Sequence, residues 1–278
     1  MLKSCLIALA LFASEALPAL AQTAPAPAST PDTNWHYAVT PYIWLPNVNG
    51  TLGFQRPNVG PNPPGNLNIG VQVGPSSYLS NLNFAFAFGF EARKENLSVF
   101  GDYINLNLSS AVSNVRTISG PGGLVEIPIS SSVNSHLFTG VFTLGLGWTV
   151  ASTDTSNLDV GVGVRNVNVR ASADYSITGP VTQVPLAGSL GSSETLTDAT
   201  FDVRGRVGLG GRWYVPYYGD IGTGNSNTTW QYLVAVGYGG RTNDVIFGYR
   251  NLGYNQNNGQ LLQNIRMGGP ILGLRIHW

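Results

Sequence analysis

From Leu82 to Arg93 the chain places Phe84, Phe86, Phe88 and Phe90 on one parity and Asn83, Ala85, Ala87, Gly89, Glu91 and Arg93 on the other. A period of two is the signature of a strand, so this segment has one apolar face and one small or charged face. A soluble sheet would bury the four phenylalanines in a core. A strand in an outer membrane would turn them to lipid and keep the charged parity in a barrel lumen.

The alternation recurs along the chain. Trp35, Tyr37, Val39, Ile43 and Leu45 oppose His36, Ala38, Thr40, Tyr42 and Trp44. Later, Phe138, Phe142, Leu144, Leu146 and Trp148 oppose Thr139, Thr143, Gly145, Gly147 and Thr149, and Leu158, Val160, Val162 and Val164 oppose Asp159, Gly161, Gly163 and Arg165. Phe201, Val203, Val207 and Leu209 oppose Asp202, Arg204, Arg206 and Gly208. Shorter versions run through 213–221, 230–238, 245–249 and 264–278. One stretch is less regular. In Leu97 to Leu108, Phe100, Ile104, Leu106 and Leu108 share a parity with Asp102 while Asn105 and Asn107 share the other. Either Asp102 faces lipid or a β-bulge shifts the register, and the bulge is the favoured reading.

These segments make ten strands, and their connections alternate in length. The turns at 94–96, 151–157, 209–212 and 239–243 are short; those at 47–81, 109–131, 171–198, 222–228 and 254–263 are mostly long and rich in Gly, Ser, Asn and Pro. Short turns on the periplasmic side and long loops outside are the habit of outer-membrane barrels, and closure removes sheet edges that lipid does not tolerate. The predicted fold is therefore all-β, a closed antiparallel up-and-down transmembrane β-barrel of about ten strands. Within 47–81, Gly50 to Phe54 and Leu67 to Val73 can pair as a further hairpin, which gives twelve strands if it spans the membrane, and 76–82 reads as a short helix in the lumen.

The two ends fit this picture. Residues 1–21 carry Lys3, an apolar run from Cys5 to Ala13 and Ala19-Leu20-Ala21, which reads as a secretory signal cut after Ala21. Residues 22–33 are an Ala/Pro-rich periplasmic lead-in, leaving 34–278 as the barrel. Cys5, the single cysteine, falls in the segment to be removed. At the other end Leu272, Leu274, Ile276 and Trp278 alternate up to the last residue, which resembles the signal by which barrel-assembly machinery recognises its clients. The expected partners are outer-membrane lipid and that machinery, around a single copy of the chain.

Composition removes other classes. With 14 Lys and Arg against 14 Asp and Glu, and 10% charged residues in all, there is no basic footprint for nucleic acid. The 35 glycines and the many aromatics favour strands and turns over helices.

Several short stretches resemble a family of uncharacterised proteobacterial outer-membrane β-barrel proteins. They are Pro41-Tyr42-Ile43-Trp44-Leu45-Pro46 with Asn49-Gly50-Thr51, Asn81 to Phe86 with Phe90-Glu91-Ala92-Arg93, Gly101-Asp102-Tyr103, Arg212-Trp213-Tyr214, Gly248-Tyr249-Arg250 and Gly269 to Leu274. The resemblance covers about 35–278 and implies an integral outer-membrane barrel, but it brings no reaction or ligand. The long segments at 109–131 and 171–198 depart from the family's pattern.

Candidate chemistry is sparse. The sequence shows no metal-ligand cluster, phosphate-cradling loop or nucleophile elbow, so no cofactor is expected. His36 and His277 fall at the ends of the first and last strands; His136 lies near Ser131, Ser132 and Ser135 at an external rim, the one place for a hydrolytic site on lipid or peptide. The clearest constellation is the charge on the inward parity: Arg93, Arg165, Arg204, Arg206, Arg250, Arg266 and Arg275 with Glu91, Asp159, Asp202 and Asp220. Guanidinium forks suit cross-lumen pairs with carboxylates. These residues either fill the barrel as a salt-bridged core or line a narrow, weakly anion-preferring channel. The expected function is thus a structural or narrow porin-like outer-membrane protein. A rim enzyme using His136 and a surface adhesin acting through the long loops are the alternatives. If the phenylalanine parity faces lipid, Phe86→Arg blocks stable assembly at a cost of about 2 to 4 kcal/mol near the midplane while Ala87→Ser is tolerated; heat-modifiable migration on a gel reads both.

Overall fold

A computed structural model describes residues 33–55, 66–76, 85–110, 118–119, 126–127, 131–177, 187–257 and 260–278. The expected signal at 1–21, nearly all of the lead-in, Phe84 and all but Ser76 of the short helix expected at 76–82 lie outside the described residues. Among the described residues fourteen strands form: β1 (His36–Trp44), β2 (Asn47–Gln55), β3 (Asn66–Val73), β4 (Ala85–Lys94), β5 (Leu97–Ser110), β6 (Ile118–Ser119), β7 (Glu126–Ile127), β8 (Ser131–Ser152), β9 (Asn157–Ile177), β10 (Ala187–Gly210), β11 (Trp213–Gly224), β12 (Thr228–Gly239), β13 (Asn243–Asn255) and β14 (Asn264–His277).

Ten of them close on themselves in the order β1-β4-β5-β8-β9-β10-β11-β12-β13-β14, with β1 pairing back to β14 from Ala38↔His277 to Trp44↔Ile271. Every neighbouring pair in the ring is antiparallel. The hairpin expected within 47–81 exists, running from Val48↔Val73 to Gln55↔Asn66. It does not add two strands to the ring. After Leu45 and Pro46, β2 carries on along the line of β1 and pairs with β14 at Asn47↔Gly268 to Arg266↔Asn49, so β2 and β3 lie past the far end of β1.

Both described chain ends and the short turns share one end of the barrel, the terminal end. The chain reverses there through Glu95 and Asn96, through 153–156, through Gly211 and Arg212, and through 240–242. Glu95, Gly210 and Gly211 take φ values of 52°, 99° and 60°, a left-handed backbone that suits glycine and is unusual for glutamate.

The opposite end differs from the loops expected there. β8, β9 and β10 are 22, 21 and 24 residues long, about twice what a tilted strand needs to cross a bilayer. Much of 171–198 is therefore paired sheet, with Ala187↔Ser176 through Asp198↔Arg165 in unbroken register. Ser, Gly and Thr on both parities, without an apolar stripe, made these stretches look like loop.

The polarity of the wall inverts along these long strands. On β9, Val162 and Val164 point outward and are 60% and 50% exposed, while Asp159 and Arg165 point in. A few residues further on, the outward positions become Asn166 and Asn168, and the inward ones become Val167 and Val169, 0% and 1% exposed. The outer asparagines donate to Thr197 and Thr195 of β10, each at 2.9 Å. The lower half therefore has the inside-out distribution of a membrane barrel, and the upper half has the distribution of a soluble protein. The apolar interior of the upper half joins Trp44, Ile104, Leu106, Val141, Leu196, Leu252 and Tyr254 of the ring to Val48, Leu52 and Phe54 of β2, Val73 of β3 and Leu261 and Leu262.

This inversion resolves the irregular strand. β5 holds one register against β4 from Ala85↔Leu106 to Lys94↔Leu97 and against β8 from Leu97↔Trp148 to Ser110↔Ser135, so it has no bulge. Phe100, Ile104 and Leu106 face inward together with Asp102. Ile104 and Leu106 belong to the upper core, and Phe100 carries the Arg204 guanidinium 3.8 Å above its ring. The register shifts that do occur lie at the terminal end, at Gly208/Gly210 and Thr149/Ala151.

Phe86 and Phe88 lie exposed on the outer face, and Phe90 is partly covered by lying across Gly101, where a Cβ would collide with its ring. Leu272, Leu274, Ile276 and Trp278 also face outward. Trp278 stacks on Tyr37 at 5.9 Å and Tyr37 on Trp35 at 6.3 Å, an aromatic cluster at the terminal rim that suits a membrane interface. The height of the inversion is testable on one strand: Val162→Arg prevents heat-modifiable folding, whereas Asn168→Arg, of the same parity six residues further on, folds like the parent.

Candidate functional site

Inside the lower half, the charges form two tiers. The upper tier lies directly beneath the apolar core. Arg165 of β9 pairs with Asp220 of β11 and donates to Thr229 of β12 at 3.0 Å and Thr143 of β8 at 3.3 Å. Arg250 of β13 pairs with Asp102 of β5 at 2.7 Å, four strands away around the ring, and donates to Gln231 at 2.6 Å and to the Tyr42 hydroxyl. Tyr42 in turn donates to Asp102 at 2.7 Å. Both guanidinium groups are buried, so these contacts replace their water.

The lower tier surrounds Asp159. Arg93 pairs with it and donates to Glu91 at 2.9 Å and Thr149 at 2.7 Å; Thr149 and Asn157 donate to Asp159 at 2.8 and 3.0 Å. Arg204 donates to Ser98 at 2.5 Å and stands 3.7 Å from Asp159. Asp244 accepts from the Tyr214 hydroxyl at 2.7 Å and lies 3.1 Å from His277 Nε2, with Arg275 at 3.6 Å. Below this tier a chamber of about 910 Å³ opens at the terminal end, and a smaller space of about 180 Å³ adjoins it around Glu91, Arg204 and Arg275.

Comparison with solved structures places this architecture. The outer membrane protease OmpT of Escherichia coli aligns with 90% of this chain and 99% of its own at a TM-score of 0.53 and 9% identity. The fold is that of an outer-membrane β-barrel. Outer membrane protein AlkL (13% identity, 93% of this chain and 97% of its own, TM-score 0.36) and the Neisserial surface protein NspA (12%, 87% and 96%, TM-score 0.30) are more distant in shape. No family model and no curated protein matches the chain.

Within this barrel, ten of the eleven lumen charges expected from sequence face inward. Arg266 does not. It lies on the outward parity of β14, beside inward Ile265 and Met267, and pairs across to Asn49 and Gly253 in the upper half. The reason for placing it inside, that lipid rejects arginine, fails at a level where the outer face is polar. His36 and His277 lie at the terminal rim as expected. His136 sits on β8 across from Ser109 and Ser172; the surroundings of its side chain fall outside the described residues. The network also recruits Tyr42, Ser98, Thr143, Gln231, Asp244 and Tyr214. Their parity alone could have flagged them, since Tyr42 shares a face with Trp44, and Asp244 with Arg250.

Asp202 stands outside this pairing. It is fully buried, directly across from Asp220, and neither carboxylate oxygen has a partner among the described residues. Gly161 makes room for it, since a Cβ there would come within 2.6 Å of both oxygens. A buried carboxylate facing another one destabilises the fold unless it is neutral, whereas Asp220 neutralises Arg165. Asp202→Asn therefore leaves stability unchanged or higher, while Asp220→Asn strands Arg165 and costs about 3 to 5 kcal/mol, as read from urea unfolding in lipid vesicles.

Proposed function

We propose that this chain is an integral outer-membrane protein with a closed interior, a structural barrel whose lumen charges brace the wall instead of lining a through-path. The observation that carries this reading is the apolar core filling the upper half, in which Trp44, Val48, Ile104, Leu106, Leu252 and Tyr254 are buried against one another across the ring. An ion entering the chamber meets the Arg165 and Arg250 tier and then hydrocarbon side chains, where charge is strongly disfavoured. The terminal end, with its short turns, faces the periplasm, and the polar-faced extensions of β8, β9 and β10 stand outside the cell. In this proposal Leu272, Leu274, Ile276 and Trp278 serve the assembly machinery from the outward face of the closing strand.

The test is conductance in planar lipid bilayers. A closed barrel gives no discrete steps. Anion-biased steps that vanish in an Arg204→Ala/Arg206→Ala double variant would establish the narrow channel in its place.

A further inference from the structure

By count the chamber is not cationic: Arg93, Arg204, Arg206, Arg212 and Arg275 line it with Glu91, Glu95, Asp154, Asp159 and Asp244. Pairing, not count, distinguishes the two signs. Asp159 is held by Arg93, Thr149 and Asn157, Glu91 by Arg93, and Asp244 by Tyr214 and His277. Glu95 and Asp154 lie on exposed turns at the mouth, and Arg212 there lies over the Tyr238 ring at 6.0 Å.

Two guanidinium groups on the wall make no hydrogen bond among the described residues. Arg275 is ion-paired with Glu91 at 3.9 Å and with Asp244 at 3.6 Å, both longer than a hydrogen bond, which leaves its N–H groups to donate elsewhere. Arg206 has no ion-pair or hydrogen-bond acceptor among the described residues, and its guanidinium lies 5.8 Å over the Tyr214 ring. Tyr214 links the two: its ring faces Arg206, and its hydroxyl is committed to Asp244, the neighbour of Arg275. The wall thus presents N–H donors on either side of a fixed phenol, in a space of about 910 Å³, a volume typical of small-molecule sites.

We propose that this chamber binds a small solute through an oxyanion group, a carboxylate or phosphate, held by Arg206 and Arg275 and reached from the terminal mouth. Planar guanidinium forks match both oxyanions, and the carboxylates on the wall, already occupied by donors, compete little for them. The ring of Tyr214 offers the body of such a solute an apolar face.

The experiment titrates the refolded full chain in detergent micelles with inorganic phosphate, and separately with acetate at matched ionic strength, by calorimetry. Saturable one-to-one binding of either anion, weakened at least tenfold in Arg206→Gln and in Arg275→Gln and unchanged in Arg241→Gln, supports the site and names its preferred group. Arg241 lies on a turn outside the chamber lining. Absence of saturable binding, or equal weakening by Arg241→Gln, overturns it. Arg206 is exposed and braces nothing, so Arg206→Gln decides the matter should Arg275→Gln lose its heat-modifiable fold. The titration reads binding and not conductance, so a conducting barrel would leave the proposal standing.

Discussion

A strand that leaves a bilayer part-way along its length exchanges lipid for water on its outer face, and its two parities must then trade roles. In lipid the backbone can be satisfied only by closing the sheet, and the outward parity must be apolar; in water the same parity must be polar, and the interior can hold hydrocarbon. β9 carries the whole exchange, from Val162 and Val164 over Asp159 and Arg165 to Asn166 and Asn168 over Val167 and Val169. The placement of charges, the filling of the upper half and the length of β8 to β10 all follow from the level at which this exchange takes place.

The lower interior then has a packing problem that hydrophobic side chains cannot solve, because its water-filled mouth admits solvent. Arginine solves it by reach and by charge. Arg250 spans four strands to meet Asp102, and Arg165 ties β8, β9, β11 and β12 together. Each fork finds acceptors on strands that do not pair with its own, β11 and β12 for Arg165 and β1 and β5 for Arg250. Buried ion pairs of this kind add modestly to net stability, but they fix which wall faces which, since losing one partner leaves an uncompensated charge. The upper tier lies between most of the apolar core and the chamber, which Leu233 and Ile246 alone of that cluster also line.

The strand count, the antiparallel order, the short turns and the outward apolar parity were legible from period-two alternation, which is strongest where an apolar outer face opposes inward charge. The extensions of β8 to β10 were not, because polar outer residues such as Asn166 and Thr197, set opposite small apolar ones, mimic loop composition. Phe100, Ile104 and Leu106 misled for the same reason: an apolar parity was equated with the lipid side, although these residues serve the interior. Arg266 shows the rule in reverse, a charge placed inward because lipid was assumed to continue to its level. Among the site residues, most of those with full charges were found from sequence, Asp244 excepted, whereas Tyr42, Gln231 and Ser98 were passed over although they share the inward parity, since nothing local marks a neutral donor or acceptor as part of a network.

In the closed barrel proposed above, the described residues that fill the upper half belong to the wall and to a hairpin continuous with it. The hairpin of β2 and β3 that supplies Val48, Leu52, Phe54 and Val73 to the core is the direct continuation of β1. It is anchored by backbone pairs from Asn47 to Asn49 with Gly268 to Arg266, by an isolated bridge between Leu52 and Leu262, and by Gly50 and Gly53, whose missing side chains allow it to press against Ile265 and Gln260. Rotating one side chain would not clear a path, because the obstruction is shared by many buried residues on both the hairpin and the ring. Lifting the hairpin would break its ladder to β14 while exposing apolar surface on both partners. The two losses occur together, so the closed barrel proposed above resists partial opening, and the charged chamber at the opposite mouth is an open space among the described residues.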